Sequence, residues 1–436
     1  MSLIHFRPKG PLMNFYQELV ARGLIEATSS EDLPDLLNNK KISFYIGYDP
    51  TAKSLQIGNL FALITMKRFQ IAGHKPYVVI GGATGMIGDP SGKNSERVLL
   101  TDDIIQINIE AQKKQFQKIL DFTAGPSSAV MVNNYDWMGK FSFIEFLRDV
   151  GKRFRVTEML AKESVKNRIN SEVGISFTEF TYQMLQAYDF KYLAKEHDVL
   201  LQMGGGDQWG NITAGIDLAR KMDGKQVYGI VIPLVTDANG NKFGKSEGGT
   251  AIYLDPEMTS PYQMYQYLIN SDDSSVIKYL KYFTFLSLDQ IAELEKKTKD
   301  EPHLREAQKV LASEVVKIVH SEEGLESAMT ATKIFFGEAI ANLKDRDLNA
   351  IFGDVPSIEL TREALKAGIP FLDLLAQTPL FSSKGEAKRS VEQKGVYLNN
   401  IGASDMALVL NEKNLASETC LVIRKGKKNY CVVKFS

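Results

Sequence analysis

Cysteine is nearly absent: among 436 residues only Cys420 and Cys431 occur. Two thiols cannot build a disulfide framework, so the chain reads as a protein of a reducing compartment held by an ordinary core. Histidine is scarce too. His5, His74, His197, His303 and His320 are scattered, form no metal-type spacing with the cysteines, and leave no protein metal site to expect. No apolar run is long enough to span a bilayer, and residues 1–10 lack the apolar stretch of a signal peptide. The expectation is a cytoplasmic protein without a membrane partner. Excess charge is missing as well. A formal net charge of −1 confines any nucleic-acid contact to a local patch. With 44% hydrophobic and 24% charged residues the chain is far from disorder, and its length suits two or three domains.

What is present is organised around residues 45–59. Ile42, Phe44 and Ile46 alternate with the period of a strand, and Ile57, Leu60, Phe61, Ile64 and Phe69 recur at helical spacing until Gly73. Between them lie Gly47, Asp49-Pro50 and Gly58, which let a ligand approach the backbone. A strand, a glycine-bearing turn and a helix form a nucleotide site in an open parallel sheet, with phosphate favoured at the helix N-terminus. A plain strand-to-helix connection looks the same, but three later stretches repeat the pattern. The strand at 77–80 runs into Gly81-Gly82-Ala83-Thr84, the strand at 199–203 into Gly204-Gly205-Gly206-Asp207-Gln208, and the strand at 230–235 into Asp237-Ala238-Asn239-Gly240. Strand ends of a doubly wound sheet share one edge, so these clusters are expected to converge on one crevice.

Two clusters imitate a phosphate-binding P-loop. Gly88-Asp-Pro-Ser-Gly92-Lys93 and Gly240-Asn-Lys-Phe-Gly244-Lys245-Ser246 are each one residue short between the glycines, which argues against that class of hydrolase. The chemistry survives the misfit: Lys93, Arg97, Lys242 and Lys245 put four cations on two loops, suited to a polyphosphate. On a helix at about 178–194, Tyr182, Gln186 and Asp189 share one face, as a solvated stripe or as the wall of a polar pocket. Asp207, with Gln202 and Gln208, offers a carboxylate and two amides at a strand end, where a ribose hydroxyl is usually met.

These motifs together resemble the bacterial tyrosyl-tRNA synthetases over essentially the whole chain. The resemblance rests on Tyr45, Asp49-Pro50-Thr51, Gln56-Ile57-Gly58-Asn59, Gly-Asp-Pro-Ser-Gly-Lys, Gly205-Gly206-Asp207-Gln208-Trp209-Gly210-Asn211, Tyr182…Gln186…Asp189 and Lys242-Phe243-Gly244-Lys245-Ser246. The tryptophanyl relatives share the architecture but are not expected to show this tyrosine-pocket set. The resemblance implies a ligase that activates L-tyrosine with ATP, releases pyrophosphate and charges tRNA(Tyr), with Mg²⁺ accompanying the nucleotide. It implies that Tyr45 and Asp189 meet the phenol, that Thr84, Asp89, Tyr182 and Gln186 surround the ammonium, and that Gln208 meets the carboxylate. Gly47, Asp49, Gly58, Gly205 and Asp207 would bind the nucleotide. Thr51, Gln56, Asn59, Lys93, Arg97, Lys242, Lys245 and Ser246 would hold the phosphates and the leaving pyrophosphate. A homodimer is implied by the same resemblance.

One departure stands out. The family signature is usually His-Ile-Gly-His, whereas here neutral Gln56 and Asn59 flank Ile57-Gly58. Amides still donate to phosphate but carry no charge. An active enzyme is expected; the alternative is a weakened paralogue that acts mainly by binding RNA.

The tail favours an RNA partner: 12 Lys and Arg stand against 7 Asp and Glu over 361–436, a local +5 in a chain of net −1. Ser383-Lys384…Lys388-Arg389…Tyr397-Leu398-Asn399-Asn400 resembles an S4-type RNA-binding domain, with Asn400 at that pattern's usual glycine. Lys384, Lys388, Arg389, Arg424, Lys425, Lys427 and Lys428 are the expected phosphate contacts; a merely solvated basic face is the other reading. The fold expected is thus α/β, a Rossmann-type parallel-sheet catalytic domain over 1–255 with an α-rich insertion at about 102–196. An all-α anticodon-arm domain over 256–347, a linker at 348–369 and an α+β S4-like domain over 370–436 follow.

Overall fold

The computed structural model describes residues 13–91, 100–170, 174–245, 249–341, 343–353 and 355–436. They form two compact units, Met1–Thr259 with Leu268–Val319, and Ser260–Tyr267 with His320–Ser436.

The first unit is built on a six-stranded sheet. Its strands are β1 (Ala27–Thr28), β2 (Ser43–Tyr48), β3 (Lys75–Ile80), β4 (Val130–Asn133), β5 (Val199–Gly205) and β6 (Tyr228–Ile232), in the order β1-β6-β5-β2-β3-β4. All neighbours are parallel except the antiparallel edge pair β1–β6. The inner strands bury both faces, so Phe44, Tyr45 and Ile46 are all buried in succession, as expected where helices cover a parallel sheet on each side.

The helix Ile57–Ile71 buries Leu60, Phe61, Leu63, Ile64, Met66 and Phe69, more than one stripe can hold. Part of that surface meets the helix Asp273–Phe283: Phe61 packs at 4.7 Å from Tyr282 and 6.1 Å from Phe283, ring centre to ring centre. Buried Arg22 and Arg68 complete the junction by donating to the carbonyls of Leu286 and Thr284 that end this helical segment. The helices of 273–319 therefore pack with the sheet, rather than forming a body of their own with the rest of 256–347. The stretch expected as an α-rich insertion at about 102–196 is mostly helical. It contains β4, a four-residue, half-buried edge strand too short to carry a visible alternation.

The second unit carries β7 (Ser357–Leu360), β8 (Ile369–Pro370), β9 (Val396–Leu398), β10 (Ile401–Gly402), β11 (Val409–Leu410), β12 (Cys420–Lys425) and β13 (Asn429–Phe435). Five of them form a sheet in the order β10-β9-β12-β13-β7, and β8 pairs with β11. The stretch expected as a linker, 348–369, is thus structured: β7 adds parallel to β13, and the helix Arg362–Ala367 follows. Ile358 and Leu360 lean on the core formed by Phe371, Leu374, Leu421, Ile423 and Val433. Only two apolar residues carry that strand, which is why composition alone reads it as a connection.

Asn399 and Asn400 both sit in the left-handed region, with φ of 48° and 63°, and join β9 to β10 by a two-residue turn. The Asn400 amide donates to the carbonyls of Ile334 (2.7 Å) and Glu338 (2.8 Å) at the end of the helix Glu306–Phe335. Asparagine here is thus a fastener as well as a turn former. Asn400→Gly, although it restores the pattern's usual residue, is expected to lower the unfolding free energy by about 1–2 kcal/mol, read by urea denaturation of the full chain.

Candidate active site

A cavity of about 380 Å³ opens at the carboxyl ends of β2, β3 and β5, where the strand order reverses between β5 and β2. The strand-end clusters do converge there. Tyr45, Gly47, Asp49, Thr51, Gln56 and Asn59 come from β2 and the turn behind it. Thr84, Asp89, Tyr182, Gln186 and Asp189 line it from the second cluster and from the helix Phe177–Glu196. Gly205, Asp207 and Gln208 arrive from β5, and Lys242 from the loop after β6. The row Tyr182, Gln186, Asp189 is therefore a pocket wall, not a solvated stripe.

Hydrogen bonds divide the polar lining into two networks. In one, Asp49 accepts from the Thr84 hydroxyl (2.8 Å) and the Tyr182 hydroxyl (3.0 Å). Gly81 makes that approach possible, because a Cβ there would stand 2.1 Å from the Asp49 carboxylate. In the other, Gln208 donates to Asp89 (2.7 Å) and accepts from Gln186 (3.1 Å), while the Asn211 amide donates to Gln186 (3.0 Å).

Deeper in the cavity, the Asp189 carboxylate accepts from Trp137 Nε1 (2.7 Å) and Asn134 Nδ2 (3.0 Å). Burial nevertheless pushes its pKa up to about 7, against the pull of those two donors. The Tyr45 hydroxyl is fully buried, finds no hydrogen-bond partner among the described residues, and has its pKa raised by burial and by the nearby Asp189 charge. Tyr45 lines the cavity, so a ligand group bound there can meet this hydroxyl.

Gln56 caps the helix Ile57–Ile71, and its backbone N–H donates to the Asn59 side-chain oxygen at 3.0 Å. The amide N–H₂ of Asn59 is then the end left to serve as a donor. Gly58 does not line the cavity. It lies under the lysine loop instead, where a Cβ would meet the Phe243 carbonyl at 3.6 Å. That loop is shaped by Asp237, whose carboxylate accepts from the N–H groups of Asn239 and Asn241, and is anchored by Phe243 packed on Tyr279 and Phe283. Lys245 is exposed and outside the cavity lining. Lys93, Arg97 and Ser246 lie outside the described residues.

Sequence reasoning missed Asn134, Trp137 and Asn211 as site residues. Asn134 had a usable signal, since it stands directly after β4, and the strand-end rule finds it once β4 is recognised.

In the second unit the expected RNA contacts separate. Lys388, Arg389, Lys427 and Lys428 are exposed. Lys384 pairs with Asp373. Arg424 lies over the Tyr397 ring, its guanidinium carbon 3.8 Å from the ring centre. Lys425 is engaged elsewhere: it bonds Glu386 at 2.6 Å and the Leu380 carbonyl at 2.9 Å and covers Phe381. Its bond and those of Ser382 hold the Glu386 carboxyl down at about 2. Lys425 thus closes the domain internally, which removes it from the exposed basic set.

Residues 37–337 match the family described as tRNA synthetases class I (W and Y), and residues 347–433 match the tyrosine–tRNA ligase SYY-like C-terminal domain. The chain is 48% identical over 418 residues to the tyrosine–tRNA ligase of Roseiflexus castenholzii, covering 96% of this chain and 98% of that one. It is 48% identical over 427 residues to the tyrosine–tRNA ligase of Bacillus velezensis, covering 97% and 100%. Among solved structures, it resembles a C-terminally truncated mitochondrial tyrosyl-tRNA synthetase of Aspergillus nidulans (TM-score 0.66, 29% identity, 74% of this chain and 95% of that one). It also resembles its counterpart from Coccidioides posadasii (TM-score 0.62, 33% identity, 74% and 92%).

Proposed function

This chain belongs to the class I tRNA synthetases for tryptophan and tyrosine, and from that membership we propose that it is a tyrosine–tRNA ligase using the cavity just described. The observation that carries the choice of amino acid is the buried Tyr45 hydroxyl without a partner, close to the Asp189 carboxylate. A phenol satisfies both, accepting from Tyr45 and donating to Asp189. A phenyl ring would leave the buried Tyr45 hydroxyl unmet and offer Asp189 nothing beyond its bonds to Trp137 and Asn134.

The tyrosine carboxylate attacks the α-phosphorus of ATP, forming a carboxyl–phosphate bond as the bond to pyrophosphate breaks. The tRNA terminal hydroxyl then takes the tyrosyl group and releases AMP. The attacking group is already an anion, so the first step needs no general base, and the protein's work is positioning and charge neutralisation. Thr84 and Tyr182 with Gln186 and Asp89 orient the ammonium; Gln208 meets the carboxylate. Gly47, Asp49, Gly205 and Asp207 receive the adenosine. Thr51, Gln56, Asn59, Lys242 and Lys245 face the phosphates, joined in this proposal by Gly58, Lys93, Arg97 and Ser246. MgATP is the substrate, the ion travelling with the nucleotide. The helical segment and the basic face of Lys388, Arg389, Lys427 and Lys428 would hold tRNA. A homodimer in the cytoplasm completes the proposal, with the exposed Phe143, Ile144, Val156 and Phe177 as apolar surface available for pairing.

The test is tyrosine-dependent exchange of labelled pyrophosphate into ATP without tRNA. Exchange with tyrosine, but not with phenylalanine or tryptophan, is expected; no exchange alongside retained tRNA binding would leave an RNA-binding paralogue instead.

Asp189 adds a pH dependence. The ionised carboxylate is the stronger acceptor for a phenol, so kcat/KM for tyrosine is expected to rise about 5- to 10-fold as pH increases through 7. Stability of the ligand-free protein runs the other way. The fold favours the neutral carboxyl, so this contribution is full below the ordinary value of 3.8 and is lost as pH rises through about 7. Exchange rates and urea midpoints across pH 5–9 check the two opposite slopes.

A further inference from the structure

The turn between β2 and the helix Ile57–Ile71 belongs to no named strand, and its Ser54 and Leu55 are buried, so their backbone groups need partners. Several come from one helix, Asp102–Ile119. Asn108, Gln112 and Gln115 stand at i, i+4 and i+7, share one face, and are only 3%, 2% and 7% exposed. Asn108 donates to the Pro50 carbonyl (2.8 Å), Gln112 to Ala52 (2.8 Å) and Gln115 to Lys53 (3.3 Å). The oxygen of Gln115 also accepts from the Leu55 N–H (2.9 Å) and the Ser54 hydroxyl (3.3 Å). Four of the peptide groups between Pro50 and Leu55 are thereby fixed from a single rigid element.

The same turn is fastened on its other side to the chain leaving the lysine loop. Asp255 N–H donates to the Ser54 hydroxyl (3.0 Å), Leu254 N–H to the Leu55 carbonyl (2.9 Å) and Ile57 N–H to the Ile252 carbonyl (2.9 Å). Ile252 N–H in turn donates to the carbonyl of Gly244 (2.9 Å), between Lys242 and Lys245. Gln112 also lines the cavity, and its oxygen is buried without a partner among the described residues.

We infer that Asn108, Gln112 and Gln115 are positioning residues that hold the turn carrying Thr51 and Gln56 in register with the lysine loop at the phosphate end of the cavity. The inference rests on the ATP-dependent reading above. Neutral Gln56 and Asn59 attract phosphate less than charged groups would, so their effect depends on placement, and a displacement of about 1 Å is enough to cost on the order of 100-fold in rate. A clamp that only filled the core would act on stability and leave the split between ATP and tyrosine parameters unmoved.

The test uses the full chain with Gln112→Met and Gln115→Met, which keep volume and remove the hydrogen bonds, and Gln115→Glu, which keeps the acceptor for Leu55 and Ser54. Pyrophosphate exchange, equilibrium binding of tyrosine and thermal unfolding are measured on each. For the methionine variants, kcat is expected to fall about 10- to 100-fold and KM for ATP to rise, with tyrosine Kd held within about twofold. Gln115→Glu should recover most of the rate. Unchanged exchange kinetics in folded methionine variants would overturn the inference, as would a loss in which kcat, tyrosine affinity and Tm fall together without rescue by Glu. If the methionine variants do not fold, Gln115→Glu decides alone: near-wild-type KM for ATP supports the acceptor role, and a rate loss as large as that of a Thr51→Ala control overturns it. A wild-type chain without exchange would overturn the functional reading and this inference with it; an active wild type beside unaffected variants would overturn only the inference.

Discussion

Lys242→Ala is expected to slow tyrosine-dependent pyrophosphate exchange by about 10²- to 10³-fold while tyrosine binding stays within about twofold. Lys242 reaches the cavity from the loop after β6, whereas Tyr45 and Asp189 come from β2 and the helix Phe177–Glu196. Phosphate charge that shifts onto the leaving pyrophosphate is met there by one of the few cations the structure brings to the cavity. The loop is preset: Asp237 gathers its N–H groups, and Phe243 is held between Tyr279 and Phe283. A cation delivered on a preset loop acts most on the state in which charge moves, so the loss should appear in kcat more than in KM for ATP. Pre-steady-state formation of the adenylate separates the two. An equal fall in tyrosine affinity would contradict this placement.

Glu179→Ala is expected to lower the stability of the first unit by about 3–5 kcal/mol, seen as an early transition in urea. Arg168 is among the largest fully buried side chains of the described residues and meets Glu179 through two bonds of 2.8 and 2.7 Å, both side chains being almost wholly excluded from water. Removing the carboxylate takes two charged bonds from a buried guanidinium and leaves it those to the Gly174 carbonyl. Replacing both partners by apolar residues of similar volume, Arg168→Met with Glu179→Leu, is expected to return most of that loss, because the cost lies in a buried charge with fewer bonds and not in losing the pair itself. Glu179 stands in the first turn of the helix that bears Tyr182, Gln186 and Asp189, so the single variant should also weaken tyrosine binding.

The cavity was legible in the sequence wherever a strand end and a polar cluster coincide. Asp49, Thr84, Asp207 and Gln208 all stand at such ends, and periodicity alone put Tyr182, Gln186 and Asp189 on one face. What escaped did so for physical reasons. β4 is four residues long and half-buried, too short to alternate visibly, and its omission hid Asn134 and Trp137. The amides of Asn108, Gln112 and Gln115 gave no signal, because pattern cannot tell a solvated amide from one facing buried carbonyls. Lys425 looked like its basic neighbours, and only the position of Glu386 distinguishes it. The left-handed turn at Asn400 was readable from the residue type; its bonds to Ile334 and Glu338, more than sixty residues away, were not.

The lone Tyr45 hydroxyl has a consequence for the life of the protein in a cell. A fold that leaves a donor unmet until its ligand arrives holds part of its stability outside the chain, in the pool of free amino acid. At a hundredfold excess over Kd, bound tyrosine adds about 2.7 kcal/mol against unfolding. When tyrosine runs short, a larger fraction of molecules opens transiently and becomes accessible to proteases. Abundance of the protein would then follow the supply of the amino acid it consumes, without any dedicated regulator.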